Sequence, residues 1–547
     1  MANPKYYVTT PAHDPASTPT AWLYTAILGD AIARHRHMCG FDVVHFVGTH
    51  TSRVSLPYSP EEALGKRIAS TPPNQKRFDK LAAHADILCD TISSDEHTRA
   101  VQTLLRRTMH RSRLAIYKAN YQGWYCIHDQ IDIGDSLEPA NCSVCGCAGK
   151  MISEERYFFR LSAFHDRLVG LYKYRPEFLQ PQFRSREIES LLQKGVKDIP
   201  ISRRSTGCGV PWPDDPKHTV SPCYSELVRY LSGIGFGKDG YGRDQFTRYW
   251  PANLHVIGKE QLICHALYWP ALLIAADLHV PRHIFAHGTL CFDQEARNGA
   301  HAPERLLHTF GSDALRYCLL REVPFEEDAR LSFEKLVERY NTDLAGGFGK
   351  IVDRILTSLA EHCDGRIPNR SLGRSDQRME IASTEIRAEA RFLFDNNNFS
   401  EGLKTLWSLL TIIDKALTDS QSRESVRESK DNHRLTDVLH DACQSLAWIL
   451  ILLHAILPRT TDAIWRTLGQ TTDLRDQGID ETPWGCLMPG TPLAKLGPLF
   501  PAIRQNGAVP GGCRDIRHPR HNQCGPAQEP TARQPVSDQK RHENGVE

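Results

Sequence analysis

The chain has 547 residues, of which 40% are hydrophobic and 24% are charged, and its formal net charge is +1 at neutral pH. This composition excludes a disordered or fibrous protein and predicts a soluble globular one of about three or four domains. So small a net charge also excludes a strong overall field that would steer a polyanion, although a local basic patch stays open.

The sequence also bears on compartment and redox state. No apolar run approaches the length that spans a bilayer, and the first residues lack the charged and apolar regions of a signal peptide. We therefore expect a cytoplasmic location. The 16 cysteines of such a chain predict reduced thiols and a metal site rather than a disulfide framework.

The first elements form a β-α-β pattern. A strand within residues 5–11 is followed by a helix over residues 26–39 and by a strand over residues 43–47. This order is the usual beginning of a parallel sheet that helices cover. We therefore predict an α/β nucleotide-binding core in the first part of the chain.

A cysteine-rich stretch interrupts this core and predicts an inserted module with a metal site. Cys142 and Cys145 form a CxxC knuckle, a spacing that lets two thiolates reach one tetrahedral ion. Cys126 adds a third thiolate, and either His128 or Asp129 would complete the site. We predict a structural zinc ion; the alternative is a turn with buried thiols and no metal.

Apolar residues recur at helical spacing in the later part of the chain, as in residues 403–417 and 446–457, and predict a helical bundle. The end is rich in Gly, Pro, Arg, His and Gln, which predicts disorder. The resulting division is a first half of the core at 1–114, the inserted module at 115–160, the second half of the core at 161–330, the helical domain at 331–500 and a disordered tail at 501–547.

Several short stretches follow one another in the order and spacing of a known family. They are Lys5-Tyr6-Tyr7-Val8-Thr9-Thr10-Pro11, Gly40-Phe41-Asp42-Val43, Tyr121-Gln122-Gly123-Trp124-Tyr125-Cys126, His255-Val256-Ile257-Gly258-Lys259, His265-Ala266-Leu267-Tyr268-Trp269-Pro270 and Asp313-Ala314-Leu315-Arg316-Tyr317. In these stretches the chain resembles the methionyl-tRNA synthetases, which are class I aminoacyl-tRNA synthetases.

The resemblance implies an α/β fold: a class I synthetase Rossmann-like parallel sheet with an inserted zinc-knuckle connective module, followed by an α-helical bundle. It implies that the bundle binds an anticodon, and that the ligands are ATP, an amino acid and tRNA. It also implies a metal ligand at Asp129, where the family would place a cysteine.

The first ATP-binding signature of this family is absent. Class I synthetases carry a His-Ile-Gly-His motif after the first strand, whose glycine lets adenine approach and whose histidines contact the phosphates. This chain has Pro19-Thr20-Ala21-Trp22 in that register, and we expect the Trp22 ring to occupy space near the nucleotide. His13 lies earlier, in a proline-rich loop, and is a poor replacement because catalytic geometry must be held closely.

The second signature, a Lys-Met-Ser-Lys-Ser loop, is absent too. Its lysines neutralise the charge that develops on the pyrophosphate leaving group. Residues 289–302 stand in its place and carry one cation, Arg297, beside Asp293 and Glu295. Each lost contact would cost on the order of 3 kcal/mol of transition-state stabilisation, so ordinary adenylation is not expected.

The predicted amino-acid pocket differs from the family's. His50 stands where the family has the carboxylate that pairs with the substrate ammonium, so a cation is no longer favoured there. Cys223 and Ser225 replace a tryptophan and an aspartate, whereas His265 is kept. We interpret these four residues as substrate-binding. The competing interpretations are a satisfied core histidine for His265 and a buried, inert thiol for Cys223.

The anticodon side has changed as well. Asp414-Lys415-Ala416 replaces an Asn-x-Tyr pair that contacts a base in the family, and a carboxylate there disfavours specific reading of an anticodon. The arginine-bearing run at residues 104–113 is either a phosphate-binding surface or a solvated helix face.

Three functions stay open. The first is a repurposed synthetase paralogue, a pseudoenzyme that binds tRNA, a synthetase or a biosynthetic enzyme. The second is an ATP-dependent ligase that activates an amino acid in small-molecule biosynthesis, although the cupin domain usual in such enzymes is missing from the sequence. The third is a divergent methionine-tRNA ligase. We favour the first, with structural zinc as cofactor and with ATP binding in question.

Overall fold

The computed structural model describes residues 3–11, 18–48, 80–87, 94–127, 131–134, 138–142, 145–205, 209–292, 302–324, 326–370, 377–424 and 432–504. The strands are β1 (Lys5–Thr10), β2 (Asp42–Val47), β3 (Ile116–Cys126), β4 (Ile131–Gly134), β5 (Lys150–Phe159), β6 (Leu179–Gln180), β7 (Ile199–Pro200), β8 (Ser202–Arg204), β9 (Pro211–Trp212), β10 (Asp215–Val220), β11 (Leu254–Gly258), β12 (His283–His287), β13 (Leu290–Phe292) and β14 (Ala329–Leu331). The α-helices are α1 (Pro19–Met38), α2 (Ser94–Arg111), α3 (His165–Tyr174), α4 (Gln182–Gln193), α5 (Pro222–Ser232), α6 (Tyr241–Tyr249), α7 (Trp269–Ala275), α8 (Pro303–Phe310), α9 (Ser312–Glu322), α10 (Phe333–Arg339), α11 (Lys350–His362), α12 (Arg378–Asp395), α13 (Phe399–Glu424), α14 (Asn432–Leu453) and α15 (Pro458–Thr467).

A five-stranded parallel sheet lies at the centre, in the order β2-β1-β11-β12-β6. Successive residues of its strands enter two different cores, as the two-residue period of a strand requires. Val8 and Val256 pack with α1, α9 and the later helices, whereas Tyr7 and Ile257 pack with α2, α5 and α7. The predicted α/β core with its parallel sheet and following helices is confirmed.

Helix α1 begins seven residues before the predicted start, so the first turn contains the Pro19-Thr20-Ala21-Trp22 stretch. Thr18 caps this turn, because its side chain accepts a hydrogen bond from the amide of Ala21 across 3.1 Å. Pro19 suits the first helical position, where its missing N–H costs nothing. Periodicity missed the start because α1 is buried on nearly all sides and shows no polar stripe there.

The inserted module is a four-stranded antiparallel sheet in the order β4-β3-β5-β7. Strand β3 ends at Cys126, and the CxxC knuckle follows β4 along the chain. Gly146 has φ of +73°, which suits the tight turn after Cys145. The module therefore brings its cysteines to one end of the sheet.

The later helices extend the core that α1 and α9 begin, rather than forming a separate one. Over the described residues, one helical segment, Arg434–Leu453, is long and apolar enough to cross a membrane, and 83% of its apolar window is buried within the protein. Residues 501–504, which composition assigned to the tail, pack on this part: Ile503 is 3% exposed and its amide donates to Oδ1 of Asn341. The rest of the predicted tail lies outside the described residues.

Candidate small-molecule pocket and metal centre

A crevice is expected where the strand order of a parallel sheet reverses, at the carboxyl ends of the strands. Here the reversal lies between β1 and β11, since β2 flanks one and β12 the other. Thr9 and His255 are register partners at this point. The side chains that converge near them come from α5 and from a short π-helical turn, Cys264–Tyr268, before α7.

His255 is held as a neutral imidazole. Its Nε2 accepts a hydrogen bond from the indole N–H of Trp269 across 3.2 Å, so the ring proton lies on Nδ1 and is donated to Oγ1 of Thr9. Burial lowers the pKa of His255 well below its ordinary value. The buried pair at the point of reversal is therefore polar and uncharged.

His265 is also neutral and has both ring nitrogens engaged. Its Nδ1 donates to the carbonyl oxygen of Gln261 across 2.9 Å, and its Nε2 accepts from the hydroxyl of Tyr230 across 2.7 Å. Burial lowers the pKa of His265 to about 4. These are the properties that the core interpretation of His265 requires, and its role toward a ligand stays a prediction.

Cys223 lies in the first turn of α5, on the same helix as Tyr230. Its Sγ is 3.3 Å from Sγ of Cys264, the residue directly before His265. The competing interpretation of Cys223 as a buried thiol is wrong, since Cys223 is exposed, whereas Cys264 is half-buried. The role of Cys223 toward a substrate stays a prediction. Their pairing could not be predicted from the sequence, because 41 residues separate them.

Ser225 lies on a different face of α5, since two residues turn a helix by about 200°. His97 of α2 contacts both Ser225, across 2.9 Å, and Ser232, across 3.1 Å. Burial lowers the pKa of His97 to about 4, so this imidazole is neutral as well. His97 was not predicted from the sequence. Ser225 and Ser232 are seven residues apart and lie on one face of α5, and this spacing was the available sign that one polar side chain contacts both. Ser225 is thus not brought to the Tyr230 and His265 pair.

The second turn of α1 lies beside β12. Oγ1 of Thr25 is 2.8 Å from Nε2 of His287, and Nδ1 of His287 donates to the carbonyl oxygen of Gly288. Tyr24 packs edge-on against the same ring, with centroids 5.0 Å apart. Burial lowers the pKa of His287, so this histidine is neutral, and both of its ring nitrogens are engaged.

A lysine at this end of the sheet is paired with a carboxylate. Lys259, which follows β11, forms an ion pair with Asp328, and the other carboxylate oxygen of Asp328 accepts from the amide of Thr289 across 2.8 Å. Thr289 also donates to Glu260 across 2.5 Å. The segment that replaces the lysine-rich loop therefore begins among carboxylates.

The three predicted cysteine ligands of the metal site come together. Sγ atoms of Cys126, Cys142 and Cys145 all lie within 4.8 Å of one another, with Cys126 and Cys145 at 3.5 Å. Thiolates around a tetrahedral zinc lie about 3.8 Å apart, since each Zn–S bond is about 2.3 Å long. Cys126 and Cys142 are buried, whereas Cys147 is exposed. The three thiols therefore fit a zinc ion.

Comparison with known proteins decides the family. The sequence model of the family described as tRNA synthetases class I (M) matches residues 6–147 and 132–356. The chain belongs to this family. The methionine-tRNA ligase of Thermotoga maritima is 29% identical over 513 residues, which cover 91% of this chain and 80% of that protein. That of Caldanaerobacter subterraneus subsp. tengcongensis is 30% identical over 91% of this chain and 79% of its own length.

A solved structure agrees with these relatives. The methionyl-tRNA synthetase of Mycobacterium tuberculosis, in complex with methionyl-adenylate, has a TM-score of 0.80 and 30% sequence identity, and the match covers 91% of this chain and 100% of that one. The resemblance to the methionyl-tRNA synthetases is therefore confirmed over most of the chain.

Several predicted site residues of this synthetase-family chain lie outside the described residues. They are His13, His50, His128, Asp129, Asp293, Glu295 and Arg297. Their roles stay predictions.

Two residues that the sequence placed on the predicted tRNA-binding surfaces, Asp414 and Arg107, form hydrogen bonds within the protein. The carboxylate of Asp414 accepts a hydrogen bond from Arg354 across 2.7 Å, which joins α11 to α13. In the arginine-bearing run, Arg107 donates to the carbonyl oxygens of Ala276 and Asp277 at the end of α7, as a helix-capping cation does. Part of this run is thus structural rather than a solvated face.

Proposed function

We propose that this chain is a repurposed methionyl-tRNA synthetase paralogue that lacks ordinary aminoacylation and works as a binding protein in the cytoplasm. It keeps the synthetase fold, and its small-molecule pocket is proposed to lie where Tyr230 of α5 meets His265. Its macromolecular partner is proposed to be a tRNA, a synthetase or a biosynthetic enzyme.

The first turn of α1 carries this proposal. A helix N-terminus binds phosphate through backbone N–H groups that lack a partner within the helix. Pro19 has no N–H, and the amide of Ala21 is already bonded to Thr18. Trp22, in the second histidine position of the family motif, is 4% exposed within the core. The first turn therefore offers the phosphates of a nucleotide fewer free backbone N–H donors than an uncapped helix N-terminus does, and it carries no imidazole.

The pocket supports a ligand of defined chemistry. The hydroxyl of Tyr230 and the imidazole of His265 are both uncharged near neutral pH, and His50 replaces the carboxylate that would pair with an ammonium. The Mycobacterium tuberculosis relative holds methionyl-adenylate. For this chain we propose an amino-acid-like small molecule whose nitrogen is not an ammonium and which carries no adenylate.

The zinc ion is proposed as a structural cofactor of the inserted module. Cys126, Cys142 and Cys145 would supply three thiolates, and His128 or Asp129 the fourth ligand. Zinc bound there would hold the end of β3 to the knuckle, where metal binding and folding are coupled.

The test is ATP-pyrophosphate exchange by the purified full chain, with a panel of amino acids and hydroxylated amines, with and without tRNA. The Thermotoga maritima ligase serves as the positive control. We expect no exchange above background from a folded protein. Exchange that depends on one substrate but not on tRNA would instead establish the ligase of small-molecule biosynthesis. Exchange with methionine, together with charging of tRNA, would establish a methionine-tRNA ligase.

A further inference from the structure

The pair Cys223 and Cys264 stands at the junction of two elements that carry the pocket. Cys223 is in the first turn of α5, which also carries Tyr230, and Cys264 opens the π-helical turn that carries His265. Their sulfur atoms are 3.3 Å apart, and Cys223 is exposed to solvent. A disulfide needs about 2.05 Å, so a closure of little more than an ångström would join them.

The surroundings of the pair favour thiol chemistry. Ser221 caps α5, its hydroxyl accepting from the amide of Tyr224, and the start of a helix stabilises a thiolate such as that of Cys223. Burial raises the pKa of Tyr268 to about 12, and the nearby Cys264 and Cys223 add to this shift, so both sulfur atoms lie close to the Tyr268 hydroxyl. Cys223 is therefore accessible to solvent and in contact with Cys264, and the helix N-terminus favours its thiolate form.

We propose that Cys223 and Cys264 form a redox-active dithiol, which low-molecular-weight disulfides close into a bond that fixes the π-helical turn carrying His265. The Cys223 thiolate attacks one sulfur of the small disulfide and releases one thiol. The Cys264 thiolate then attacks Sγ of Cys223 and releases the second thiol, and the two protons of the protein thiols end on the two released thiols. The proposal does not depend on the proposed function, because the bond would form whatever the pocket binds.

The consequence for the pocket follows from chain connectivity. His265 is the next residue after Cys264, and its Nε2 is held to Tyr230 by a single 2.7 Å hydrogen bond. A disulfide between this turn and the start of α5 would restrict the movement of His265 relative to Tyr230. Single π-helical turns are often found at functional sites, where they place a side chain that a regular helix would not.

The experiment exposes the full zinc-loaded chain to graded ratios of oxidised to reduced glutathione, then quenches, alkylates and maps the peptides by mass spectrometry. We expect a cross-linked peptide joining Cys223 to Cys264 before any that contains Cys147 or Cys291, which are also exposed. Hydrogen exchange should slow in residues 264–268 of the oxidised protein. In C264S the reaction should stop at glutathione on Cys223, while C291S, the matched control, should behave as the parent chain.

Two results would overturn the proposal. The first is full glutathionylation of Cys223 or Cys291 without a cross-link between Cys223 and Cys264. The second is a cross-link that leaves hydrogen exchange of residues 264–268 unchanged, which would show that the bond does not fix the turn. Neither result bears on whether the chain activates an amino acid, so failure here and failure of the proposed function are distinguishable.

Discussion

Tyr230 donates a hydrogen bond to Nε2 of His265 across 2.7 Å, and this bond joins α5 to the π-helical turn before α7. Because Nδ1 of His265 is committed to the carbonyl oxygen of Gln261, the imidazole has one fixed tautomer. Burial raises the pKa of Tyr230 and lowers that of His265 to about 4. A ligand seated against this pair therefore meets a phenol and an imidazole without a charge.

The first prediction tests the proposal that the pocket disfavours a ligand with an ammonium group. N-acetylmethionine should bind more tightly than methionine, by about tenfold or 1.4 kcal/mol, because it keeps the side chain and lacks the ammonium. H50D restores the carboxylate of the family and should reverse the order. Isothermal titration calorimetry measures both ligands, with H308D as the matched control, since it makes the same change at an exposed histidine of α8. Tighter binding of methionine by the parent chain would contradict the prediction.

The second prediction is that the free energy of unfolding falls in acid, because histidines such as His97 are buried in the neutral form. The pKa of His97 is about 4 in the folded protein against 6.5 when exposed, so between these values the unfolded chain binds more protons. The stabilisation is complete above pH 6.5 and falls as the pH drops toward 4. The shift in His97 corresponds to on the order of 3 kcal/mol.

The measurement is urea unfolding of the parent chain and of H97Q between pH 7 and pH 4. H97Q should lower the free energy of unfolding at pH 7, because contacts to two serines are lost, but it should flatten the dependence on pH. H110Q, at an exposed histidine of the same helix, should leave the slope as it was. Equal slopes for H97Q and the parent would rule out this explanation.

Metal content tests the cysteine site. The purified chain should hold one zinc per molecule, and C145S should lose it, because a hydroxyl is a poor replacement for a thiolate on zinc. C147S should retain the metal, since Cys147 lies outside the three-thiol cluster. Metal analysis and thermal unfolding with and without a strong chelator give the two readouts. Zinc-free protein whose stability a chelator does not change would remove the site.

The buried ion pair between Asp30 and Arg316 predicts a large effect on stability. The pair spans 2.7 Å between α1 and α9, with side chains 1% and 0% exposed. D30N should destabilise the fold by about 3–5 kcal/mol, because it leaves a buried guanidinium without full compensation. D473N, which disrupts a more exposed pair with Arg475, should cost less than about 1 kcal/mol. Urea unfolding compares the two, and similar losses would show that Asp30 is not a core anchor.

The features predicted most accurately were those that a regular sequence pattern indicates, such as the strand β2 and the cysteine cluster. The strand at β2 was found within a residue, and CxxC spacing located three thiols that meet in space. The start of α1 was missed because burial on nearly all sides removes the stripe on which a helix prediction depends. His97 and Cys264 were missed because each gains its meaning from a residue on another element, and a single sequence does not show such pairings.

The proposed loss of the ATP site at the start of α1 is tested most directly by equilibrium binding of Mg-ATP to the purified full chain. A ligand at a hundred times its dissociation constant stabilises the folded state by about 2.7 kcal/mol, which a thermal unfolding curve resolves easily. We predict no change in the unfolding midpoint at millimolar Mg-ATP and no heat of binding by calorimetry. A saturable shift that a non-hydrolysable ATP analogue reproduces would show that the turn capped by Thr18 still binds the nucleotide.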